Sequence, residues 1–201
     1  MFNKSGKFII HPSTVIFLII LSLSGAGYEG LITLLCALIH ELGHYFAARL
    51  CRIKPSKITI YPFGADMLMP NGLKSYKSDI FIALSGPIFN LILLVFGIFF
   101  SLGDFFCACN LGLAFINLMP INGLDGGTVL RGFLSLFFSP RAAEGTLTAI
   151  TFLILFFLYL FSVYFLFSGS GDPSLFVIVC ALFCSTFLKN GYKKKTENKR
   201  G

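Results

Sequence analysis

The chain has 201 residues, 56% of them hydrophobic and only 12% charged, with a mean hydropathy of +0.83 and a formal net charge of +7. Soluble domains carry about a quarter charged residues, so the composition excludes an ordinary water-soluble globular protein. Apolar runs such as 81–100 and 150–167 match the roughly 20 helical residues that cross a ~30 Å hydrocarbon layer. In lipid the backbone must satisfy its own hydrogen bonds, so these runs are read as helices. The expected fold class is an all-α polytopic membrane protein.

About six transmembrane helices fit, at roughly 9–26, 31–50, 79–101, 105–138, 146–168 and 174–188. Lys4 and Lys7 ahead of the first apolar run, with Ser24-Gly25-Ala26-Gly27 after it, allow a cleaved signal. An uncleaved first span is preferred because it accounts for the charge distribution. The fourth span is too long for one simple crossing, and Pro120, Gly123, Gly126 and Gly127 interrupt it. It reads as two half-helices joined by irregular backbone, which membranes tolerate only where protein or a cavity surrounds it. Between spans two and three, residues 57–69 are rich in β-branched and aromatic types. They form either a short strand or hairpin near the inner interface or an amphipathic surface loop.

With both termini cytoplasmic, the Lys and Arg residues fall in 1–8, 51–78, 139–145 and 189–201, or at inner helix ends where Arg49 and Arg131 can snorkel. The outer connections around Glu29, Asp104 and Asp172 carry none, as the positive-inside rule requires. The basic surplus therefore lines the cytoplasmic face against anionic lipid and does not call for nucleic acid. The expected location is a bacterial inner or plasma membrane. The whole chain, 1–201, is read as one membrane-embedded domain: a core at about 31–138, two further helices over 139–188, and a basic tail at 189–201.

Six cysteines lie mostly in the spans and show neither a disulfide framework nor paired zinc-ligand spacing. The chemistry-bearing signal is His40-Glu41-Leu42-Gly43-His44 in the second span. Positions i and i+4 share a helix face, so both imidazoles can meet one ion, and Zn²⁺ suits neutral imidazole. Glu41 beside them can act as general base toward a water molecule. A charge at a span centre costs roughly 2.5–3.5 kcal/mol even on a lenient scale, so intramembrane ionisable residues are functional by default. A catalytic zinc site needs a third protein ligand. Asp125, in the broken fourth span, is better placed for this than His11 at the inner end of the first. The competing reading of Asp125 is a cap on the second half-helix.

These residues resemble the site-2 protease family of intramembrane metalloproteases. The likeness rests on His40-Glu41-Leu42-Gly43-His44, then Ser85-Gly86-Pro87-x-x-Asn90, then Asn117-x-x-Pro120-x-x-x-Leu124-Asp125-Gly126. It implies zinc ligands His40, His44 and Asp125, with Glu41 as general base and Asn117 and Pro120 orienting the substrate. Tyr61-Pro62-Phe63-Gly64 resembles a loop of the branch containing the sporulation protease that activates a membrane-tethered sigma factor, although Ala65 replaces that branch's second Gly. The implied function is regulated proteolysis of a transmembrane or membrane-associated protein under a membrane regulator. The alternatives are a zinc transporter or other non-proteolytic metal-binding membrane protein, and a surface metalloprotease with a downstream Glu ligand.

Overall fold

The computed structural model describes residues 7–10, 27–53, 57–61, 64–68, 75–168, 175–177, 179–184 and 186. These residues are predominantly helical, and they fall into two units, Met1–Leu118 and Met119–Gly201.

The first unit holds a sheet and three helices. Strand β1 (Lys7–Ile10) pairs in parallel with β2 (Lys57–Tyr61), which pairs antiparallel with β3 (Gly64–Leu68). Strand β2 is thus the middle strand. Ile9 and Ile10, expected to open a spanning helix, are instead strand residues registered against Thr59 and Ile60. Hydropathy cannot separate the two states for so short a run, and the β-branched side chains suit either. The remainder of that expected span, 11–26, with His11, lies outside the described residues, as do Pro62, Phe63 and the basic tail.

Helices α1 (Gly27–Leu50), α2 (Tyr76–Phe99) and α3 (Asp104–Leu118) pack against one another. In α1 the buried positions Cys36, His40, Gly43, His44 and Ala47 recur at three- and four-residue steps, which makes one stripe along the helix. Leu31, Leu35, Leu38, Leu42 and Phe46 are exposed. Small and polar residues inside with large apolar residues outside is the pattern of a helix packed in lipid, where close backbone approach drives association. The α1–α2 contact shows this directly. A Cβ on Gly43 would lie 2.9 Å from the Ser85 carbonyl oxygen.

The second unit holds α4 (Asp125–Leu134) and α5 (Pro140–Phe167), which pack together. Residues 119–124 ahead of α4 are irregular. Gly123 has φ +107°, the left-handed region that favours glycine, and the Asn122 N–H donates to the buried Thr151 hydroxyl at 2.9 Å. Helix α5 begins with Ser139, whose hydroxyl accepts from the Ala142 N–H, followed by Pro140 in the first turn.

Helices α1, α2 and α5 are long and apolar enough to cross a membrane. Helix α3 is shorter, and residues 175–177 and 179–184 are also helical.

Candidate metal centre

Helix α1 is uninterrupted from Gly27 to Leu50, so the four-residue spacing places His40 and His44 one above the other. Both are buried, and their rings meet edge to face with centroids 4.8 Å apart. The Nε2 atoms approach to 3.1 Å. What each Nδ1 touches decides the chemistry of that pair.

The Nδ1 of His44 lies 2.7 Å from the Ile82 carbonyl oxygen on α2. A carbonyl only accepts, so this nitrogen carries the proton. The Nδ1 of His40 meets the Asn90 side-chain oxygen, also on α2. Oxygen again accepts, and His40 takes the same tautomer. Both Nε2 atoms therefore present lone pairs, and two acceptors face each other at 3.1 Å. A cation between them, a proton or a metal ion, removes the repulsion. A neutral imidazole that ligates through one nitrogen while its other N–H is held by an outer oxygen is the usual metal-binding arrangement.

Space over the pair depends on Gly86. A Cβ there would overlap the His44 Nε2 and lie 2.8 Å from the His40 Nε2. The glycine keeps a cradle open on the side of α2 facing the two donors. Donor type, tautomer and cradle together fit a Zn²⁺ site, with imidazole the ligand Zn²⁺ commonly takes.

Glu41 follows His40 on α1 and is half-buried, with one carboxylate oxygen shielded from solvent. Its position three residues before His44 puts the two on adjacent parts of the helix surface. Asn117 lies in the last turn of α3, where its amide donates to the Leu113 carbonyl at 2.9 Å. In the second unit, Pro120 is half-buried in the irregular segment, and Asp125 is the first residue of α4. The N-cap of α4 is Leu124 and not Asp125, so the cap reading of Asp125 does not apply. An acidic residue in the first turn is favoured by the helix dipole.

Three residues matter here beyond the expected ligands. Gly86 and Asn90 belong to a quoted motif, but their contacts with the histidines emerge only in three dimensions. Asn110, fully buried on α3, donates to the Phe106 carbonyl and accepts from Asn90. The sequence signal for it was a polar amide inside an apolar helix.

Residues 30–105 match Peptidase family M50. The chain is 32% identical over 108 residues to a zinc metalloprotease of Methanocaldococcus jannaschii, covering 48% of this chain and 31% of that protein. It is 30% identical over 133 residues to Stage IV sporulation protein FB of Bacillus subtilis, covering 62% of this chain and 46% of that protein. The chain thus spans less than half the length of these curated relatives. Its fold is similar to the solved site-2 protease of Methanocaldococcus jannaschii, with TM-score 0.68 and 20% identity over 94% of this chain and 92% of that one. Residues 30–105 are thus similar to peptidase family M50, and the fold is that of a solved site-2 protease.

Proposed function

We propose that this chain is an intramembrane zinc metalloprotease that cuts a membrane-associated protein substrate. The observation that carries the reading is the histidine pair, with Nδ1 of each ring tied to an oxygen and the Nε2 atoms converged at 3.1 Å inside an apolar helix. His40 and His44 supply two of the donors, and Asp125 is proposed as the third. When bound there, Zn²⁺ supplies Lewis acidity toward a peptide carbonyl and acidifies water. Glu41 accepts a proton from the attacking water and passes it to the amine nitrogen as the C–N bond breaks. Asn117 and Pro120 are proposed to orient the substrate backbone.

The remaining reading follows from the sequence and from the relatives. Positive charge on one side supports about six spans with both termini cytoplasmic, and 1–201 is proposed as a single membrane-embedded protease domain. Similarity to a stage IV sporulation protein supports a role in sporulation, and regulated proteolysis under a membrane regulator is proposed with it. A substrate helix hides its peptide bonds and must present an extended segment. The outer edge of β3 is the proposed place for that segment to add as a further strand.

The test uses detergent-purified chain and a membrane-tethered reporter peptide. Cleavage by wild type, lost on chelation and restored by Zn²⁺, is the expected result. Zinc binding with no cleavage of any tethered reporter would move the reading to a non-proteolytic metal protein.

A further inference from the structure

Helix α3 contributes to the histidine pair through a chain of amides. The Asn110 Nδ2 donates to the Phe106 carbonyl at 2.9 Å and to the Cys36 Sγ at 3.2 Å. The Asn90 Nδ2 donates to the Asn110 Oδ1 at 2.9 Å and lies 3.4 Å from the Cys36 carbonyl oxygen. The Asn90 Oδ1 then faces the Nδ1 of His40. Asn90 and Asn110 are both fully buried.

Side-chain amides can be turned over, but this chain has a fixed direction. The Phe106 carbonyl only accepts, so the nearer atom of Asn110 is its nitrogen. Its oxygen must then face Asn90, which can answer only with nitrogen. The oxygen of Asn90 is left for His40, and that ring must carry its proton on Nδ1. Each step follows from the one before, and the backbone carbonyl on α3 is the anchor.

We infer that Asn110 is a positioning residue that sets the tautomer of His40 through Asn90, so that zinc affinity depends on a side chain one residue removed from the donors. This rests on the metal reading of the histidine pair. Without the Asn110 acceptor, the Asn90 nitrogen keeps only its long 3.4 Å contact with the Cys36 carbonyl oxygen, and Asn90 can turn that nitrogen toward His40. The ring then accepts at Nδ1 and is protonated at Nε2, where it cannot ligate. His44 is held separately by the Ile82 carbonyl and keeps its tautomer. It serves as an internal control.

The experiment compares wild type, N110L and N110D, purified in detergent and checked for fold by elution and helicity. Zn²⁺ affinity is read by competition with a chromophoric chelator. Ring tautomers are read in the apo proteins from long-range ¹H–¹⁵N spectra of ¹⁵N-histidine, which are simple because the chain has 3 histidines. N110L is expected to lose about 10- to 100-fold in affinity, the usual range for an outer partner of a ligand. Its His40 should shift toward the Nε2-protonated form while His44 does not. N110D, whose neutral carboxyl can donate to Phe106 and accept from Asn90, should stay close to wild type in both readouts.

Unchanged affinity and an unchanged His40 tautomer in folded N110L would overturn the inference. If N110L does not fold, the wild-type spectrum decides. His40 protonated on Nδ1 supports the relay, and His40 protonated on Nε2 overturns it. A wild type that binds no Zn²⁺ contradicts the metal reading itself, an outcome distinct from zinc binding that is indifferent to Asn110.

Discussion

His40 and His44 turn their Nε2 atoms toward each other at 3.1 Å while α2 holds both Nδ1 atoms, one through Asn90 and one through the Ile82 carbonyl. Burial strengthens the repulsion between two such acceptors, because the low local dielectric leaves it unscreened. A cation held by the two nitrogens would offset that repulsion. Each ring is also fixed before any ion arrives, which lowers the ordering cost of binding.

Gly86 sets the clearance over that pair. In G86A the new Cβ would meet both Nε2 atoms, so the helices must separate or the rings must leave their rotamers. The variant is expected to retain helicity and lose most of its zinc. Metal content by elemental analysis beside circular dichroism checks this. Wild-type zinc in folded G86A would show that the cradle is not where the ion sits.

Glu41 is assigned proton transfer and not metal binding. E41Q keeps the shape of the side chain and removes the base. It should hold zinc as wild type does and lose roughly 10²- to 10⁴-fold in cleavage rate, the usual contribution of general acid–base catalysis. Zinc content and reporter cleavage, measured on one preparation, separate the two roles. Retained cleavage would remove Glu41 from the chemistry.

The segment ahead of α4 depends on Thr151. Its buried hydroxyl accepts from the Asn122 N–H, and T151V keeps the shape while leaving that donor unsatisfied. The expected cost is about 1–3 kcal/mol, the desolvation penalty of a buried polar group. A lowered thermal midpoint in detergent would report it, and an unchanged midpoint would show that water replaces the hydroxyl.

Substrate addition is assigned to the outer edge of β3. Alternate residues of that strand point their N–H groups away from β2, so a proline at Asp66 or at Met67 removes one outward donor. One of these two variants should slow reporter cleavage with zinc content unchanged. Thr59 is a poor probe, because β2 is the middle strand and a proline there would damage the sheet itself.

The parts of this fold that were legible in the sequence share one property: their signal is local. His40 and His44 stand four apart on an unbroken helix, and helical geometry alone brings them together. Pro120 and Gly123 mark the end of α3 and the irregular backbone before α4 because they act on their own dihedrals. The α1 boundary differs from expectation only at its start, Gly27 in place of about 31. Ile9 and Ile10 read as helix from hydropathy alone because their strand partner, β2, lies some fifty residues away and leaves no local signal. The role of Asn110 is not legible in the sequence for the same reason. Its role rests on Asn90 of a different helix, and only the packing of α1, α2 and α3 brings the two amides into line.

The proposed three-ligand centre is tested by zinc per chain in detergent-purified protein, wild type beside D125A, with folding confirmed by size-exclusion elution. Roughly one zinc per wild-type chain is expected, with a marked loss in the folded variant, as when a protein ligand is removed from a three-ligand site. Equal zinc in both would take Asp125 out of the site and contradict the proposed centre.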